Sequence, residues 1–257
     1  MAAILLDVDG VLHLSGQPIP GGAVAVERLR SLGHRLRFVS NSTTRSRADL
    51  AEDLRRLGVT VQDDEVQTTP RAAARALAGR RVLALVMDAI VSELEGVELV
   101  GDHADAVLIG GADETAETGR VFSYTNLARA FAELEMGAEL FCLHRNRWWQ
   151  TARGPLLDSG AFVAGLEYAA QVQATVLGKP SSTYFAAALE ALDADPSQAW
   201  MVGDDLESDV AGAAAVGLRT ALVRTGKFRE DDLRLARTMP DLVLSSIADL
   251  PAWIEQL

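Results

Sequence analysis

Three times in this chain a short run rich in apolar residues ends abruptly on small polar or acidic side chains. Ala3-Ile4-Leu5-Leu6 runs into Asp7-Val8-Asp9-Gly10-Val11, Arg35 to Val39 runs into Ser40-Asn41-Ser42-Thr43, and Trp200 to Val202 runs into Gly203-Asp204-Asp205 with Asp209 four residues on. Strands that are apolar at successive positions have both faces covered, which is the habit of parallel sheets rather than antiparallel ones. Helix-period stretches separate them: Gly22 to Leu32, with Val24, Leu29 and Leu32 facing inward, Ser46 to Leu57, Ser182 to Leu192, Val210 to Val216 and Ala248 to Glu255. Further strands are expected at Thr220 to Val223 and at Val243-Leu244. This alternation predicts a doubly covered α/β sheet, and in such sheets ligands bind beyond the carboxyl ends of the strands, where the three polar clusters fall.

The texture changes between about Arg71 and Leu177. Strand candidates (Val82 to Val86, Ala106 to Ile109, Glu139 to Leu143) and helix candidates (Tyr124 to Leu134, Ala161 to Ala169) alternate with looser acidic segments. We read residues 71–177 as a second α/β unit inserted into a core made of residues 1–70 and 178–257. With 24 Lys and Arg against 36 Asp and Glu, a net charge of −12 and no basic block, the chain lacks the means to grip nucleic acid phosphates or an anionic membrane without sequence specificity. A small anionic substrate remains compatible with that charge if its site carries local positive charge. The single Cys142 rules out an internal disulfide, the four histidines are too dispersed for zinc spacing, and a reducing cytoplasm is the expected location. Met1 leads straight through a short apolar run to Asp7, without the pattern of a signal peptide or membrane span.

Asp7 and Asp9, two apart on a strand, share one face. Asp-Gly is also an ordinary turn signal, and the hydroxyl cluster after Val39 would serve equally as a helix N-cap or as donors to phosphate oxygens. Gly203-Asp204-Asp205 with Asp209 is harder to explain without a cation, since carboxylates crowded after an apolar strand repel one another. Hard divalent ions take oxygen ligands, and Mg²⁺ is bound through one or two carboxylates together with substrate phosphate. Of the 24 cations only two are lysines, Lys179 and Lys227. In so arginine-rich a chain the lysine of Gly178-Lys179-Pro180 marks a place that needs a compact point charge; Lys227 is expected to be a solvated turn lysine. The charges of Asp7, Asp9, Asp204 and Asp209 are balanced by one Mg²⁺, Lys179 and a proton kept on Asp9. On this reading Asp7 attacks phosphorus as a nucleophile and Asp9 acts as general acid and then base. The metal, Lys179, Ser40 and backbone amides near Asn41 stabilise the phosphoryl oxygens.

These residues resemble the haloacid dehalogenase superfamily. Asp7-x-Asp9-Gly10-Val11 matches its first motif, Ser40 its second, Lys179 its third, and Gly203-Asp204-Asp205-x-x-x-Asp209 its fourth, in order and over essentially the whole chain. A large α/β insert between the second and third motifs is similar to subfamily IIA, the NagD-like phosphatases. Arg37-Phe38-Val39-Ser40-Asn41, His144-Arg145-Asn146-Arg147-Trp148-Trp149, Leu166-Glu167-Tyr168-Ala169 and Gly178-Lys179-Pro180 carry the closer likeness within that group. The resemblance implies a Rossmann-like parallel-sheet core with an inserted α/β cap of the C2 type that closes over the site and selects the substrate. It further implies Mg²⁺ on Asp7, the Asp9 backbone carbonyl and Asp204, phosphate on Ser40, Asn41 and Lys179, and Asp209 in support, holding metal waters or Lys179. An acid at position 9 favours phosphatase chemistry over dehalogenation. The substrate it implies is a small phosphorylated metabolite, a phosphoamino acid or pyrophosphate, and a homodimer formed through the cap is the expected assembly. Asp158, Arg145, Arg147 and the Trp148-Trp149 pair are the cap candidates for selectivity, the tryptophans more often packing than contact residues.

Two other function classes share parts of this pattern. A receiver module would also use a strand-end Asp with Mg²⁺, a hydroxyl and a lysine, but it needs neither Asp9 nor the insert. A dinucleotide-binding oxidoreductase would need a Gly-x-Gly-x-x-Gly after the first strand, which the chain lacks.

Overall fold

The computed structural model describes residues 2–151 and 154–255. The chain divides into two compact units, one of residues 1–40, 47–67 and 179–257, the other of residues 41–46 and 68–178. The expected core of 1–70 and 178–257 differs from the first unit chiefly at 41–46. That segment groups with the second unit, where Asn41 bonds Thr69 and Thr43 bonds His144.

The first unit holds a six-stranded sheet in the order Leu242–Leu244, Arg219–Val223, Ala199–Gly203, Ala3–Asp7, Arg35–Ser40, Val66–Thr68. Ala3–Asp7 lies at its centre, paired in parallel with Ala199–Gly203 on one side and Arg35–Ser40 on the other. Every residue from Ala3 to Asp7 is buried, because a central strand of a doubly covered sheet has no solvent face. Ile4 and Leu6 pack with Phe38, Val202, Val26 and Leu29 in one apolar cluster, while the intervening Leu5 is equally buried on the opposite face. The helix Gly22–Ser31 buries Ala25, Val26 and Leu29. Val24, expected inward, is 73% exposed: five residues before Leu29 it sits about 140° around the helix from it, whereas Val26 and Ala25, three and four before Leu29, share its face.

The predicted helix Val210 to Val216 is interrupted. Leu206–Ala211 forms a widened π-type turn before a short α-helical turn, Gly212–Ala215. Asp205 caps its start, its Oδ1 accepting the N–H groups of Glu207 and Ser208 at 3.0 Å each. Such widened turns recur at functional sites, and this one contains Asp209.

The second unit is built on a five-stranded parallel sheet in the order Thr175–Val176, Glu139–Cys142, Ala106–Ile109, Arg81–Leu85, Glu98–Leu99. The three predicted strands are its centre. Helices Tyr124–Glu135 and Gly160–Ala170 pack on it through Ala130, Leu134, Val163 and Leu166. The short edge strands, the helix Thr69–Ala76 and the hairpin Trp148–Thr151 with Gly154–Leu157 were not legible in the sequence. Two-residue strands are too short to show a period, and the helix is hidden by Pro70, which sits in its first turn, where a missing N–H costs nothing.

Candidate active site

Asp7 ends the central strand and is followed by a sharp turn through Gly10, whose φ of 83° is closed to most side chains. A Cβ there would also collide with Asp204, so glycine is needed twice over. Asp204 follows the neighbouring strand Ala199–Gly203, which puts the two carboxylates at the same end of adjacent parallel strands. Lys179 reaches in from the turn before helix Ser182–Ala191: its Nζ lies 2.5 Å from Asp7 Oδ1 and 2.8 Å from Asp209 Oδ1. The ammonium is 3% exposed and both carboxylates are buried.

The electrostatics follow from that crowding. One oxygen each from Asp7, Asp204 and Asp209 lies within 4.8 Å of the others. Burial, with Asp209 and Asp204 adding to it, raises the Asp7 pKa well above the usual carboxylate range against the pull of Lys179. Burial opposes the Lys179 charge, yet Asp209 and Asp7 outweigh it and hold the lysine protonated well above its ordinary range. Asp204 is pushed up to about 6, first by burial and then by Asp209 and Asp205, although the Lys227 N–H donates to its Oδ2 at 2.7 Å. Three buried carboxylates around one lysine leave an excess of negative charge, and the donors are all hard oxygens. Asp209 has both oxygens engaged, Oδ1 by Lys179 and Oδ2 by the Asp205 N–H at 3.2 Å. Asp7 and Asp204 are therefore the carboxylates whose chemistry fits a divalent cation of the Mg²⁺ type.

The other expected site residues divide. The Asp9 side chain stands apart from the acidic trio, 69% exposed with its Oδ1 3.5 Å from His13 Nε2. Ser40 is buried at the end of Arg35–Ser40. Asn41, the next residue, belongs to the second unit, where its Oδ1 accepts from Thr69 Oγ1 at 3.3 Å. Lys227 is a surface lysine at its ammonium, 71% exposed and 3.0 Å from Asp205 Oδ2. Its backbone N–H nevertheless holds Asp204, which no side-chain pattern could announce. Beside this acidic loop lies a cavity of about 530 Å³ lined by Asp204, Asp205, Lys227, Arg229 and Arg237 among others.

Sequence reasoning missed Tyr184. Its hydroxyl accepts from the Ser40 N–H at 3.0 Å and directs its hydrogen at the carbonyls of Ser40 (3.0 Å) and Gln67 (2.9 Å), and Gln67 Nε2 returns a bond to the Tyr184 carbonyl at 2.8 Å. The tyrosine thus fixes the strand end that presents Ser40. Burial pushes its pKa up and keeps the hydroxyl a hydrogen-bond donor. A faint signal existed: Tyr184 stands two residues into a helix whose neighbours are apolar, and a buried tyrosine must find partners for its hydroxyl. Tyr124 and Tyr168, by contrast, are 86% and 82% exposed.

Among the candidates for selectivity, Asp158 is buried 3.6 Å from His144 Nε2, and Arg145 Nη2 bonds Glu167 Oε2 at 2.7 Å. Arg147 is exposed, and so is Trp148, where packing is the commoner role of a tryptophan. The side chain of Trp149 lies outside the described residues.

Sequence and fold comparisons agree with this geometry. Residues 4–100 match the family model "Haloacid dehalogenase-like hydrolase" and residues 176–250 the model "HAD-hydrolase-like". Haloacid dehalogenase-like hydrolase domain-containing protein 2 of Homo sapiens is 37% identical over 248 residues, covering 96% of this chain and 93% of that protein. The chain belongs to the haloacid dehalogenase-like hydrolases. Phospholysine phosphohistidine inorganic pyrophosphate phosphatase of Xenopus laevis is 38% identical over 255 residues, covering 96% and 92%. Among solved structures, p-nitrophenyl phosphatase from Archaeoglobus fulgidus superposes with a TM-score of 0.89 at 29% identity over 98% of both chains. NagD from E. coli K-12 gives 0.87 at 25% identity over 97% of this chain and 98% of its own, which puts this member of the family with the NagD-like subfamily IIA. Glycerol phosphate phosphatase from Mycobacterium tuberculosis in complex with magnesium gives 0.85 at 29% identity over 97% of this chain and 76% of that one. A receiver module and an oxidoreductase are both set aside by matches that run the length of the chain to hydrolases of one family. Among the described residues no helix is long and apolar enough to cross a membrane.

Proposed function

We propose that this phosphatase of the haloacid dehalogenase family hydrolyses a small phosphorylated metabolite, a phosphoamino acid or pyrophosphate through an aspartyl-phosphate on Asp7, with Mg²⁺ as its metal. The observation that carries the reading is the buried Asp7 carboxylate, 2.5 Å from Lys179 and within 4.8 Å of Asp204 and Asp209. Asp7 attacks phosphorus; the bond to the leaving oxygen breaks, and Asp9, protonated, supplies its hydrogen to that oxygen. In favour of this role, its side chain is exposed on a turn next to Gly10. Asp9, now a carboxylate, takes a proton from the water that attacks the acyl-phosphate, which returns Asp7 and releases phosphate. Lys179, Ser40 and Asn41 bind the phosphoryl oxygens and Asp209 holds Lys179 in place. A divalent cation on Asp7, the Asp9 carbonyl and Asp204 would supply charge stabilisation to the same oxygens.

Three further parts of the reading concern location, assembly and partners. A reducing cytoplasm fits the lone Cys142, buried and with its thiol pushed up to about 12 by burial. A homodimer through the inserted unit fits Tyr124 and Tyr168, left largely exposed on its two main helices. No nucleic acid or membrane partner is expected from a net charge of −12. The test is multiple-turnover release of p-nitrophenol from p-nitrophenyl phosphate with Mg²⁺ and with excess chelator. Turnover that needs the metal and vanishes in Asp7→Asn supports the proposal; wild-type turnover in Asp7→Asn would refute it.

A further inference from the structure

Strands Arg219–Val223 and Ala3–Asp7 lie on opposite sides of Ala199–Gly203. They are not paired, and two strand spacings, about 10 Å, separate them. The loop that follows Arg219–Val223 nevertheless crosses to the turn that follows Ala3–Asp7. Thr225 Oγ1 donates to the Gly10 carbonyl, and the Lys227 N–H donates to Asp204 Oδ2 at 2.7 Å. The Phe228 N–H closes the loop as a turn on the Thr225 carbonyl at 3.1 Å. Between the two anchors Gly226 has a φ of 58°, and a Cβ there would run into the Asp204 carboxylate and the Gly10 Cα, so the loop packs directly on both. Gly10 is held on its other flank too, its N–H donating to the His13 carbonyl at 2.7 Å. Lys227 Nζ adds a contact to Asp205 Oδ2 at 3.0 Å, but its side chain is exposed, so the Thr225 hydroxyl and the Lys227 N–H are the anchors that count.

We propose that Thr225-Gly226-Lys227 is a positioning bracket for the metal ligands: it bonds Gly10 through the Thr225 hydroxyl and Asp204 through the Lys227 N–H, and so sets the spacing between them and with it the affinity for Mg²⁺. The proposal rests on the metal role given to Asp7, the Asp9 carbonyl and Asp204 under the proposed function. Those oxygens come from the ends of two different strands, and a small, hard cation with a strict geometry binds well only where their spacing is set beforehand. With Asp204 Oδ2 accepting from Lys227, Oδ1 is the oxygen left to a cation. Thr225 touches no reacting atom. It acts through Gly10, next to the Asp9 carbonyl, and what it supplies is metal affinity rather than bond-making.

The test is calorimetric titration of Mg²⁺ into metal-free protein, with the Mg²⁺ dependence of p-nitrophenyl phosphate turnover measured beside it. Thr225→Val is expected to raise the Mg²⁺ Kd about tenfold, the scale for losing a group that orients a metal ligand, while kcat at saturating Mg²⁺ stays within about threefold. Thr225→Ser keeps the hydroxyl and should hold Kd within about threefold of wild type. Gly226→Ala, whose Cβ displaces Asp204, should raise Kd by at least about tenfold. An unchanged Kd in Thr225→Val would overturn the proposal, as would an equal rise in Thr225→Val and Thr225→Ser, or a loss of kcat that saturating Mg²⁺ does not recover. If Thr225→Val does not fold, Thr225→Ala carries the same expectation. If the wild type takes up no Mg²⁺ while still turning over p-nitrophenyl phosphate, the metal role is wrong and this inference falls with it, whereas Asp7 as nucleophile stands.

Discussion

Lys179→Met removes the buried cation that bonds Asp7 and Asp209 and keeps most of the side chain's volume. The Nζ of Lys179 is 2.5 Å from Asp7 and 2.8 Å from Asp209, and the ammonium is 3% exposed, so solvent cannot take its place. Deleting one partner of a buried ion pair typically costs about 3–5 kcal/mol, because the remaining charge stays desolvated and uncompensated. For a chain of this size each kcal/mol moves Tm by about 2–4 °C, so the metal-free variant should melt roughly 6–20 °C below wild type at pH 7.5. The deficit should shrink on acidification, as Asp7 and Asp204, both with raised pKa values, take up protons and the repulsion that Lys179 relieves disappears. Lys227→Met is the internal control. Its side chain is 71% exposed and its ammonium pairs with Asp205, and an exposed pair contributes only about 0–1 kcal/mol, so Tm should move by less than about 4 °C. Differential scanning calorimetry from pH 4.5 to 8 reads both. Equal Tm shifts for the two lysine variants at pH 7.5 would refute the claim that Lys179 compensates a buried acidic cluster.

Asp204, at about 6 against an ordinary 3.8, binds its proton more tightly in the folded state. In metal-free protein it therefore contributes stability below pH 4 that is lost as pH rises through 6, about 3 kcal/mol in all, and Asp204→Asn should flatten that part of the chemical-denaturation profile; an unchanged slope between pH 4 and 6 would contradict the assignment. Tyr184→Phe removes the hydroxyl that bonds the Ser40 N–H and the Ser40 and Gln67 carbonyls, which should cost about 1–3 kcal/mol and roughly 2–12 °C in Tm. An unchanged Tm would mean that the hydroxyl does not bind the strand end. Gly10→Ala combines a strained positive φ with a Cβ aimed at Asp204 and should lower kcat/KM by at least about tenfold, measured on p-nitrophenyl phosphate, whereas a side chain accommodated there without loss would show that Asp204 need not sit where it does.

The parts of the molecule that were legible in the sequence are those written in local residue patterns. Ala3-Ile4-Leu5-Leu6 and Trp200-Met201-Val202 read as buried strands because burial on both faces removes every polar side chain, and their polar ends then mark the site. Asp7, Asp204 and Asp209 were nameable for that reason and Lys179 because lysine is so scarce in the chain, and the structure brings all four together. What stayed hidden depends on the third dimension. Val24 and Val26 are the same residue type, and what makes one exposed and the other core is the helical period counted from Leu29, which puts Val26 and not Val24 on the buried face. The bonds that Tyr184 makes to Ser40 and Gln67 cross more than a hundred residues of chain, and the Lys227 contact to Asp204 is made by a backbone N–H that every residue but proline carries. His144 and Asp158 stood inside segments already noted, yet their pairing with Thr43 joins a loop after the second strand to the far end of the insert, which no spacing rule connects.

The account rests on Asp7 as the group that takes the phosphoryl. The direct measurement is rapid acid quench of the enzyme turning over p-nitrophenyl phosphate with Mg²⁺, followed by borohydride reduction and peptide mass spectrometry. The account predicts a reducible acyl-phosphate confined to Asp7, longer-lived in Asp9→Asn because release of phosphate is slowed. Steady turnover with no acyl-phosphate on Asp7, or with the label on another residue, would contradict it.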